Sequence, residues 1–413
     1  MASTTAFVGD TIERGGETGV VKRQLYESIR LLFNWLERND YRGYDTFDGL
    51  NAKFIRPFTF ESKLLRTVLQ QGVRRFPLNT RPLLGIQKSY STKGMGFVAR
   101  GFISLYACTG DQIWRDKAEF FLHWLIDNQS KGYSGSCWGN HFDYQSRTFY
   151  LPKHVPTVVW TSLIGHAFLD AYDDFKEDRY LQIAVSACEH ILRDLNVYPD
   201  GEGTCISYVP GFNSQVHNAN MLGGSLLART YSHTGNTDYR ALALKAMQYT
   251  AQYQQPNGAW WYGEKPSLHW VDNFHTAYVL DCFKHYSEGT GDKYFDQIMM
   301  RGYEYWKSTF FLSDGTPKYY NHKTLPLDIQ CCSQAIDTLV FFSDRDQDEG
   351  LELALKVAQW TIRNMQDRSG YFYYRRYSQW LVNKTPTLHW GQATMLCALS
   401  ALYKQVSSDV RFA

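Results

Sequence analysis

Paired cysteine motifs, long apolar runs and an excess of charge of either sign are all missing from this sequence. Its eight cysteines include no C-x-x-C pair, which argues against a zinc site or a disulfide framework. No apolar run approaches the roughly 20 residues of a membrane span. The net charge of +2 does not indicate a nucleic-acid partner, which would favour a strongly basic chain. We therefore expect a cytoplasmic protein with reduced cysteines packed inside helices, no membrane span, no nucleic-acid partner and no metal or other cofactor.

Residues 1–20 also lack a basic segment followed by an apolar one, so no secretory signal is indicated. We interpret these residues as a flexible lead-in. Residues 21–413 follow one repeating pattern, which predicts a single domain.

Aromatic side chains are present in surplus, at 16% of the chain with 29 Tyr, 25 Phe and 12 Trp. Most of the surplus lies in loops. Flat side chains gathered in loops suit stacking on sugar rings, or the packing of long loops against one another.

Two kinds of helical segment alternate along the chain. One kind is apolar on nearly every face and rich in small residues, so its neighbours must surround it closely. These segments begin near residues 93, 157, 217, 272, 328 and 389, a period of about 60 residues. The other kind has one apolar stripe and belongs outside, with its opposite face in water.

Six helices of each kind predict an all-α fold, the (α/α)6 toroid of six helical hairpins. An open solenoid would leave a buried-type helix exposed at each end, so we expect the ring to close. Glu61–Arg75 is expected to be the outer partner of the first inner helix. That leaves Val21–Asn39 as an added amino-terminal helix.

The connections between the helices are unequal. Inner-to-outer turns are short and carry the related sequences CTGDQIW, HTGNTDY and GTGDKYF, in which Gly ends one helix and a following polar residue caps the next. Outer-to-inner loops are long and hold most of the His, Trp and Tyr residues. Long loops on a rigid scaffold usually carry binding and chemistry, so we expect the site where they meet.

The six inner helices should all present their amino-terminal ends to these long loops. Each end carries about half a positive charge and unpaired N–H groups, which would favour an anion such as a uronate carboxylate or a phosphate. Asp272 and Asp328 lie at two of these ends, and the alternative is that they only cap their helices.

Three chemistries remain open for a sugar substrate. Hydrolysis needs two carboxyl groups, for which Asp272 and Asp328 are the first pair, with Asp143 and Glu264 in reserve. Elimination or epimerisation would use His or Tyr as base, with a cation or an amide holding the acid group, and the candidates are His217, His275, Tyr144 and Asn218. The residues expected to bind the substrate lie in the loops or at the helix starts: Tyr144, His154, Trp160, Asn218, Asn220, Trp261, His269, Trp270, Gln330, His389 and Trp390.

A competing signal is the segment QQPNGAW (254–260), which matches a Q-x-x-x-G-x-W pattern. Such repeats resemble those of terpene cyclases and prenyltransferases, which share the toroid and would need a dry apolar cavity. The D-x-D-D acid motif of the protonating cyclases is missing from the sequence. We interpret the pattern as structural, with Gln holding a helix end and the aromatic ring packing over the turn.

Two longer segments, VDNFHTAYVLDCF (271–283) and DGTPKYYNHKTLPLDIQCCSQAI (314–336), resemble the six-hairpin, glycosidase-like proteins encoded with bacterial exopolysaccharide assembly genes (the VpsJ-like type). The segments YRGYDTFDGLNAKF and RPLLGIQKS belong to the same resemblance. It implies a toroid that helps to make or modify a surface polysaccharide, with an oligo- or polysaccharide substrate and exopolysaccharide assembly proteins as partners. A noncatalytic glycan-binding or scaffold protein would look the same in sequence.

Overall fold

The computed structural model describes residues 17–147, 149–347 and 349–409. Thirteen α-helices occur within these ranges, and they follow the predicted segments closely. They are α1 Glu17–Arg38, α2 Lys63–Arg75, α3 Thr92–Thr109, α4 Gln112–Asp127, α5 Val158–Phe175, α6 Asp178–Asp194, α7 His217–Thr234, α8 Thr237–Gln252, α9 Asn273–Thr290, α10 Asp296–Phe310, α11 Ile329–Phe341, α12 Glu349–Met365 and α13 Thr394–Ser408.

The inner ring consists of α3, α5, α7, α9, α11 and α13, and each of them packs against the next, with α13 returning to α3. Small residues permit this close approach. A Cβ atom on Gly289 of α9 would lie 2.6 Å from the carbonyl oxygen of Ala228 on α7, and one on Gly101 of α3 would lie 3.3 Å from backbone atoms of Cys397 on α13. The predicted closed (α/α)6 toroid is confirmed.

The outer layer differs from the prediction in its first member. α1 packs against α13, and its Phe33 ring meets Phe102 of α3 and Trp114 of α4 at 6.0 and 5.1 Å. α2 instead contacts short elements near the long loops. Among the described residues there is one helix beyond the twelve of the ring, but that helix is α2: α1 buries Leu25, Ile29, Leu32 and Leu36, whereas Val73 is the only apolar side chain that α2 buries.

The short turns behave as predicted. Gly110, Gly235 and Gly291 end α3, α7 and α9 with φ of 68°, 68° and 72°, values that favour glycine. The side chains of Asp111 and Asn236 then cap the next helices. In QQPNGAW, Gln254 donates to the carbonyl oxygen of Gly258 at 3.1 Å and the indole of Trp260 donates to that of Thr250 at 3.0 Å, so the motif is structural.

The long loops contain short antiparallel strands and single helical turns. The strands form three small sheets. They are β1 Tyr144–Gln145 with β2 Tyr150–Leu151, β3 Val197–Asp200 with β4 Gly203–Ile206, and β5 Leu327–Asp328, β6 Arg375–Arg376 and β7 Val382–Asn383. The helical turns are Asp48–Asn51, Arg56–Thr59 and Pro266–Leu268, and an irregular turn, Leu388–Ala393, leads into α13.

Two helix starts are displaced from their expected positions. α1 begins at Glu17, inside the segment expected to be a lead-in, and the rest of that segment lies outside the described residues. α13 begins at Thr394 because Trp390 and Gly391 leave helical geometry, so His389 and Trp390 lie on a turn before the helix. Within the described ranges, no helix combines the length and apolarity needed to cross a bilayer.

Candidate functional site

Three carboxylate–imidazole pairs lie at the end of the ring where the long loops meet the amino-terminal ends of the inner helices. They are Asp272 with His275, Asp45 with His389, and Glu264 with His217. A carboxylate on one ring nitrogen sets the tautomer and the orientation of an imidazole, so the geometry of each pair decides what its other nitrogen can do.

The first pair is built at the start of α9. Asp272 is buried and caps the helix, since its Oδ1 accepts the backbone N–H of His275 at 3.0 Å. Its Oδ2 accepts from Nδ1 of the same residue at 2.7 Å and from the indole of Trp270 at 2.9 Å. Nε2 of His275 forms no hydrogen bond to the described residues, and the ring is about one-fifth exposed, at 21%. The pair therefore caps the helix and also presents a free imidazole nitrogen.

The second pair joins residues 344 positions apart. Oδ2 of Asp45 contacts Nδ1 of His389 across the floor of the site, and Nε2 of His389 is buried with no partner in the described part of the chain. Burial raises the pKa of Asp45, but the facing imidazole outweighs it and leaves that pKa below its ordinary value. Burial also lowers the pKa of His389, an effect that Asp45 only partly offsets, so the imidazole is neutral at pH 7.

The third pair is closed on both sides. Nε2 of His217 contacts Oε1 of Glu264 at 2.7 Å, and Nδ1 contacts the hydroxyl of Thr250 at 3.3 Å. With both ring nitrogens engaged, His217 is held in place and cannot act as a base in this arrangement. The predicted catalytic role of His217 is therefore not supported by its contacts.

An aromatic wall connects the first two pairs. The ring of His389 lies 5.6 Å from that of Trp160 and 5.7 Å from that of Trp390, between ring centroids. Phe274 then bridges Trp390 at 5.3 Å and His275 at 4.2 Å. A chain of ring contacts, forming one aromatic surface, thus connects the imidazoles of His389 and His275.

Several buried polar atoms along this surface have no hydrogen-bond partner among the described residues. Two are indole N–H donors, two are amide oxygens and one is an imidazole nitrogen: Trp160 Nε1, Trp390 Nε1, Asn218 Oδ1, Gln330 Oε1 and His389 Nε2. Buried polar groups are nearly always bonded, so each exception needs an explanation, and a ligand is one. All five residues were predicted from the sequence to bind the substrate.

Asp328 has a different role from the one predicted. It is fully buried and caps α11 through Oδ1, which accepts from the backbone N–H of Gln330 at 3.2 Å. Its Oδ2 accepts from Nε and Nη2 of Arg375, at 3.2 and 2.8 Å, across the register of β5 and β6. Both oxygens are occupied, so the capping alternative describes this residue.

The remaining predicted residues are spread around the site. Trp270 and Tyr262 stack at 4.6 Å beside His275, and Tyr144 lies on Phe47 at 5.2 Å. Trp261 and His269 stack at 3.6 Å on a more exposed part of the rim. The structure does not bring in three others: Asn220 is bonded to backbone groups of Ile206 and Ala246, His154 is exposed, and Asp143 caps a turn beside Arg56.

The sequence analysis missed two cations. Lys93, at the start of α3, is 3% exposed, and its Nζ lies 5.0 Å from the ring centroid of Trp160. Burial lowers its pKa to about 7, although Asp45 acts against the shift. Arg74, in the last turn of α2, donates to the hydroxyl of Tyr374 at 3.0 Å and lies over Phe47 and Trp390 at 4.4 and 5.9 Å. A lone lysine opening an apolar inner helix was the available signal for Lys93.

Side chains cap four of the inner helices at this site. Ser91, Thr157, Asp272 and Asp328 each accept one backbone N–H at the start of α3, α5, α9 and α11. Arg74 is a further source of positive charge at this end of the ring. In the residues described, no cluster of three or more His, Cys, Asp or Glu side chains has the geometry of a metal site.

The space at this end is narrow. A pocket of about 10 Å³ lies between His217, Tyr262, Asp272 and His275, enough for about one water. A larger cavity, about 470 Å³, lies at the opposite end of the ring, where the short turns are. Its walls include Arg100, His166, Asp281 and Asp337 and are not the dry apolar surface that an isoprenoid substrate would need.

No protein-family model and no curated protein matches this chain. Solved structures do match, and they include sugar epimerases and family 76 mannanases. A sugar epimerase from a ruminal bacterium is 13% identical with a TM-score of 0.58, over 77% of this chain and 90% of that one. A cellobiose 2-epimerase from Bacillus thermoamylovorans is 10% identical with a TM-score of 0.57, over 76% and 90%.

A third match is a family 76 α-mannanase from Bacteroides thetaiotaomicron, 14% identical with a TM-score of 0.59, over 78% of this chain and 89% of that one. At these identities the similarity establishes the fold alone.

Proposed function

We propose that this protein is a carbohydrate-active enzyme that removes and returns a proton at a sugar carbon, an epimerase-type reaction. One observation carries the proposal. His275 and His389 each hold a carboxylate on Nδ1 and leave Nε2 unbonded within the described residues, and a wall of aromatic rings joins them. Two oriented imidazoles facing one binding surface suit an acid and a base acting on one carbon.

The reaction needs a C–H bond next to a carbonyl or carboxylate group. Nε2 of His275 takes the proton, and the electron pair of the broken bond moves onto the neighbouring oxygen as an enolate. The imidazolium formed is stabilised by Asp272. His389 returns a proton to the other face of the carbon, for which its Nε2 must carry a proton in addition to the one that Nδ1 holds toward Asp45. Lys93, whose pKa burial lowers to about 7, interacts with His389 and can supply that proton at neutral pH.

Binding of a sugar explains the unpartnered polar atoms. A hydroxyl group both donates and accepts, so it can satisfy the indole donors of Trp160 and Trp390 and the amide acceptors of Asn218 and Gln330. Arg74 lies over the Trp390 ring without a carboxylate bonded to it. We propose that Arg74 binds the acidic group of a uronate or the enolate oxygen, because a guanidinium stabilises negative charge on oxygen.

Hydrolysis by Asp272 and Asp328 fits the contacts less well. Asp328 is bound to Arg375 and to its helix start, and Asp272 already accepts three hydrogen bonds. Neither carboxyl group is placed to donate a proton to a leaving oxygen. Epimerases and a mannanase both occur among the similar folds, so the fold itself favours neither reaction.

The wider role proposed is synthesis or modification of a surface polysaccharide, alongside exopolysaccharide assembly proteins. It rests on the sequence resemblance. A cytoplasmic site of action belongs to the same proposal, supported by all eight cysteines being free.

The test uses proton NMR in deuterated water. Wild-type protein is incubated with cellobiose and with uronic-acid oligosaccharides, while new epimer signals and deuterium at carbon are followed. Absorbance from new double bonds and the release of reducing ends are read in parallel. We expect deuterium wash-in and epimer formation, and a fall of about 10²–10⁴-fold in His275→Asn and His389→Asn.

His123→Asn is the matched control, since His123 is exposed on α4, and it should keep wild-type turnover. Double bonds in place of epimers would assign elimination at the same carbon. Release of reducing ends that survives both variants would refute the proton-transfer assignment. Glycan binding with no chemical change in any assay would identify a noncatalytic binder.

A further inference from the structure

The cavity of about 470 Å³ lies inside the ring at the carboxy-terminal ends of the inner helices, and all six of those helices contribute to its walls. Its mouth carries the exposed residues Glu288, Asp344 and Lys404. Phe97 and Tyr278 line its inner end, with Nζ of Lys93 beyond them at 5.7 and 5.8 Å from their ring centroids. This volume is in the range of sites that bind small organic molecules, and the cavity is separate from the site at the long loops.

Two carboxyl groups in this cavity lack a close cation among the described residues. Arg100 and Arg229 are both paired with Asp170, at 2.7 and 2.9 Å, and Arg229 also meets Asp173 at 3.1 Å. Lys284 is paired with Asp344 at the mouth. Asp281 and Asp337 then remain, and the nearest guanidinium nitrogen to Asp337 is that of Arg100 at 3.9 Å.

The polar atoms of Asp281 and Gln334 that remain unbonded at the cavity wall are hydrogen-bond acceptors. Oδ2 of Asp281 accepts from Nε2 of Gln334 at 2.9 Å and from the hydroxyl of Thr338 at 3.0 Å. Its Oδ1 is buried without a partner among the described residues. Because a carboxylate can only accept here, the amide of Gln334 must point its NH2 group at Asp281, which leaves Oε1 unbonded.

Gln334 is 4% exposed and lines the cavity. Asp337 lies one helical turn further along α11, so it shares the face of Gln334. The amide oxygen of Gln334 and two carboxyl groups therefore converge from α9 and α11. A ligand that satisfies them must donate hydrogen bonds and carry positive charge.

Two further features favour a cation at this end. The carboxy-terminal ends of the inner helices carry partial negative charge. The rings of Phe97, Tyr278 and Phe341 line the walls, and aromatic faces attract ammonium groups. The apolar residues Leu163 and Leu222 suit the hydrocarbon part of an organic ligand.

We propose that this cavity binds an organic ammonium ion, with its N–H groups on Asp281, Gln334 and Asp337 and its carbon skeleton against Phe97 and Tyr278. Burial raises the pKa of Asp281 well above its ordinary value, and Asp337 adds to the shift. A bound cation reverses this effect, so binding releases a proton and weakens as the pH falls. The charged and titratable groups around Asp281 are Arg100, His166, Asp170, Arg229, Lys284, His285, Asp337 and Lys404.

The experiment is isothermal titration calorimetry of the full chain with n-butylammonium and 1,4-butanediammonium, with 1-butanol as the neutral probe of equal shape. Both cations should bind at one site at pH 8, and 1-butanol about tenfold or more weakly. Asp281→Asn and Asp337→Asn should each weaken cation binding by about tenfold or more. Asp344→Asn at the mouth and His275→Asn at the other end are controls and should change it less than about twofold.

A second readout locates the ligand. Histidine side-chain NMR signals of His166 and His285, whose rings stack at 4.8 Å beside the cavity, should move on titration, and those of His275 and His389 should not. Equal binding of 1-butanol, unchanged affinity in both Asp variants, or shifts confined to His275 and His389 would each overturn the proposal. If Asp281→Asn does not fold, Asp337→Asn decides, because its carboxylate has a single distant partner.

Discussion

The two ends of the inner ring differ in how far the loops cover them. At the amino-terminal ends of the helices, long loops fold inward: Arg147 lies on Trp270 and Arg74 on Phe47, and about 10 Å³ remains beside His275. At the carboxy-terminal ends the turns are too short to reach across, and about 470 Å³ stays open. Loop length therefore sets how enclosed each end of a toroid becomes.

The chemistry of the two ends differs for a related reason. Long loops bring new side chains to the helix starts, such as Asp45 to His389, and these orient the imidazoles that the proposed reaction uses. At the open end, the available side chains are mainly those of the inner helices themselves. There Asp281, Gln334 and Asp337 form a binding surface of acceptors, whose charge is costly to bury until a cation arrives.

The largest effect is expected from the ion pair that anchors the loops to the ring. Arg375→Met leaves Asp328 buried and uncompensated, and should lower the free energy of unfolding by about 3–5 kcal/mol in urea titrations. Arg30→Met breaks an exposed pair of 2.6 Å and should cost less than about 1 kcal/mol. If Arg375→Met lost turnover but kept wild-type stability, Asp328 would instead be assigned a role in the reaction.

The next effect separates the two duties of Asp272 at the long-loop end. In Asp272→Asn the side-chain oxygen can still cap α9, but the NH2 group cannot accept from Nδ1 of His275. Turnover should fall about 100-fold or more, with little loss of stability. Asp272→Ala should lose the same turnover and about 1 kcal/mol of stability as well, measured by thermal unfolding. Wild-type turnover in Asp272→Asn would show that orientation of His275 is not required.

The smallest effect is expected for Asp281 at the open end, where the substitution should stabilise the folded protein instead of destabilising it. The raised pKa of Asp281 means that its carboxyl group keeps its proton to a higher pH in the folded protein than in the unfolded chain. Folding must then take up a proton, a cost that is present above the ordinary pKa and vanishes as the pH falls toward it. Asp281→Asn removes the cost and should raise the melting temperature at pH 7.

The same comparison at pH 4 should show little difference between Asp281→Asn and wild type, since the unfolded chain is then largely protonated too. Turnover on sugar substrates should stay unchanged in this variant. A melting temperature that falls in the variant at pH 7, and falls less at pH 4, would mean that the Asp281 carboxylate is ionised and stabilising in the folded protein.

Much of the fold could be predicted because its signals are local. Small-residue helices, their period and the glycine turns follow from short stretches of sequence, and so did the capping positions of Asp272 and Asp328. Val21–Asn39 was placed outside the ring by counting helices, whereas its apolar stripe, with Phe33 meeting two neighbours, gives it an outer-layer position.

The sites were harder to predict than the fold. His275, Trp160, Gln330 and Trp390 could be predicted as site residues because they stand at helix starts or in long loops. Lys93 and Arg74 were missed, since one cation in a helix usually lies on a solvated face. Asp281 and Asp337 were missed for the same reason, because periodicity does not reveal that their helix faces turn toward an open cavity.

The sequence by itself determined the helices, their two layers and the end at which the long loops gather, because these depend on residues close together in the chain. Only the tertiary structure decided which groups meet: Asp45 with His389, Asp328 with Arg375, and Gln334 with Asp281. Ring closure brings distant residues into hydrogen-bonding distance, and burial then sets their charges. Neither step leaves a pattern that a single chain displays before it folds.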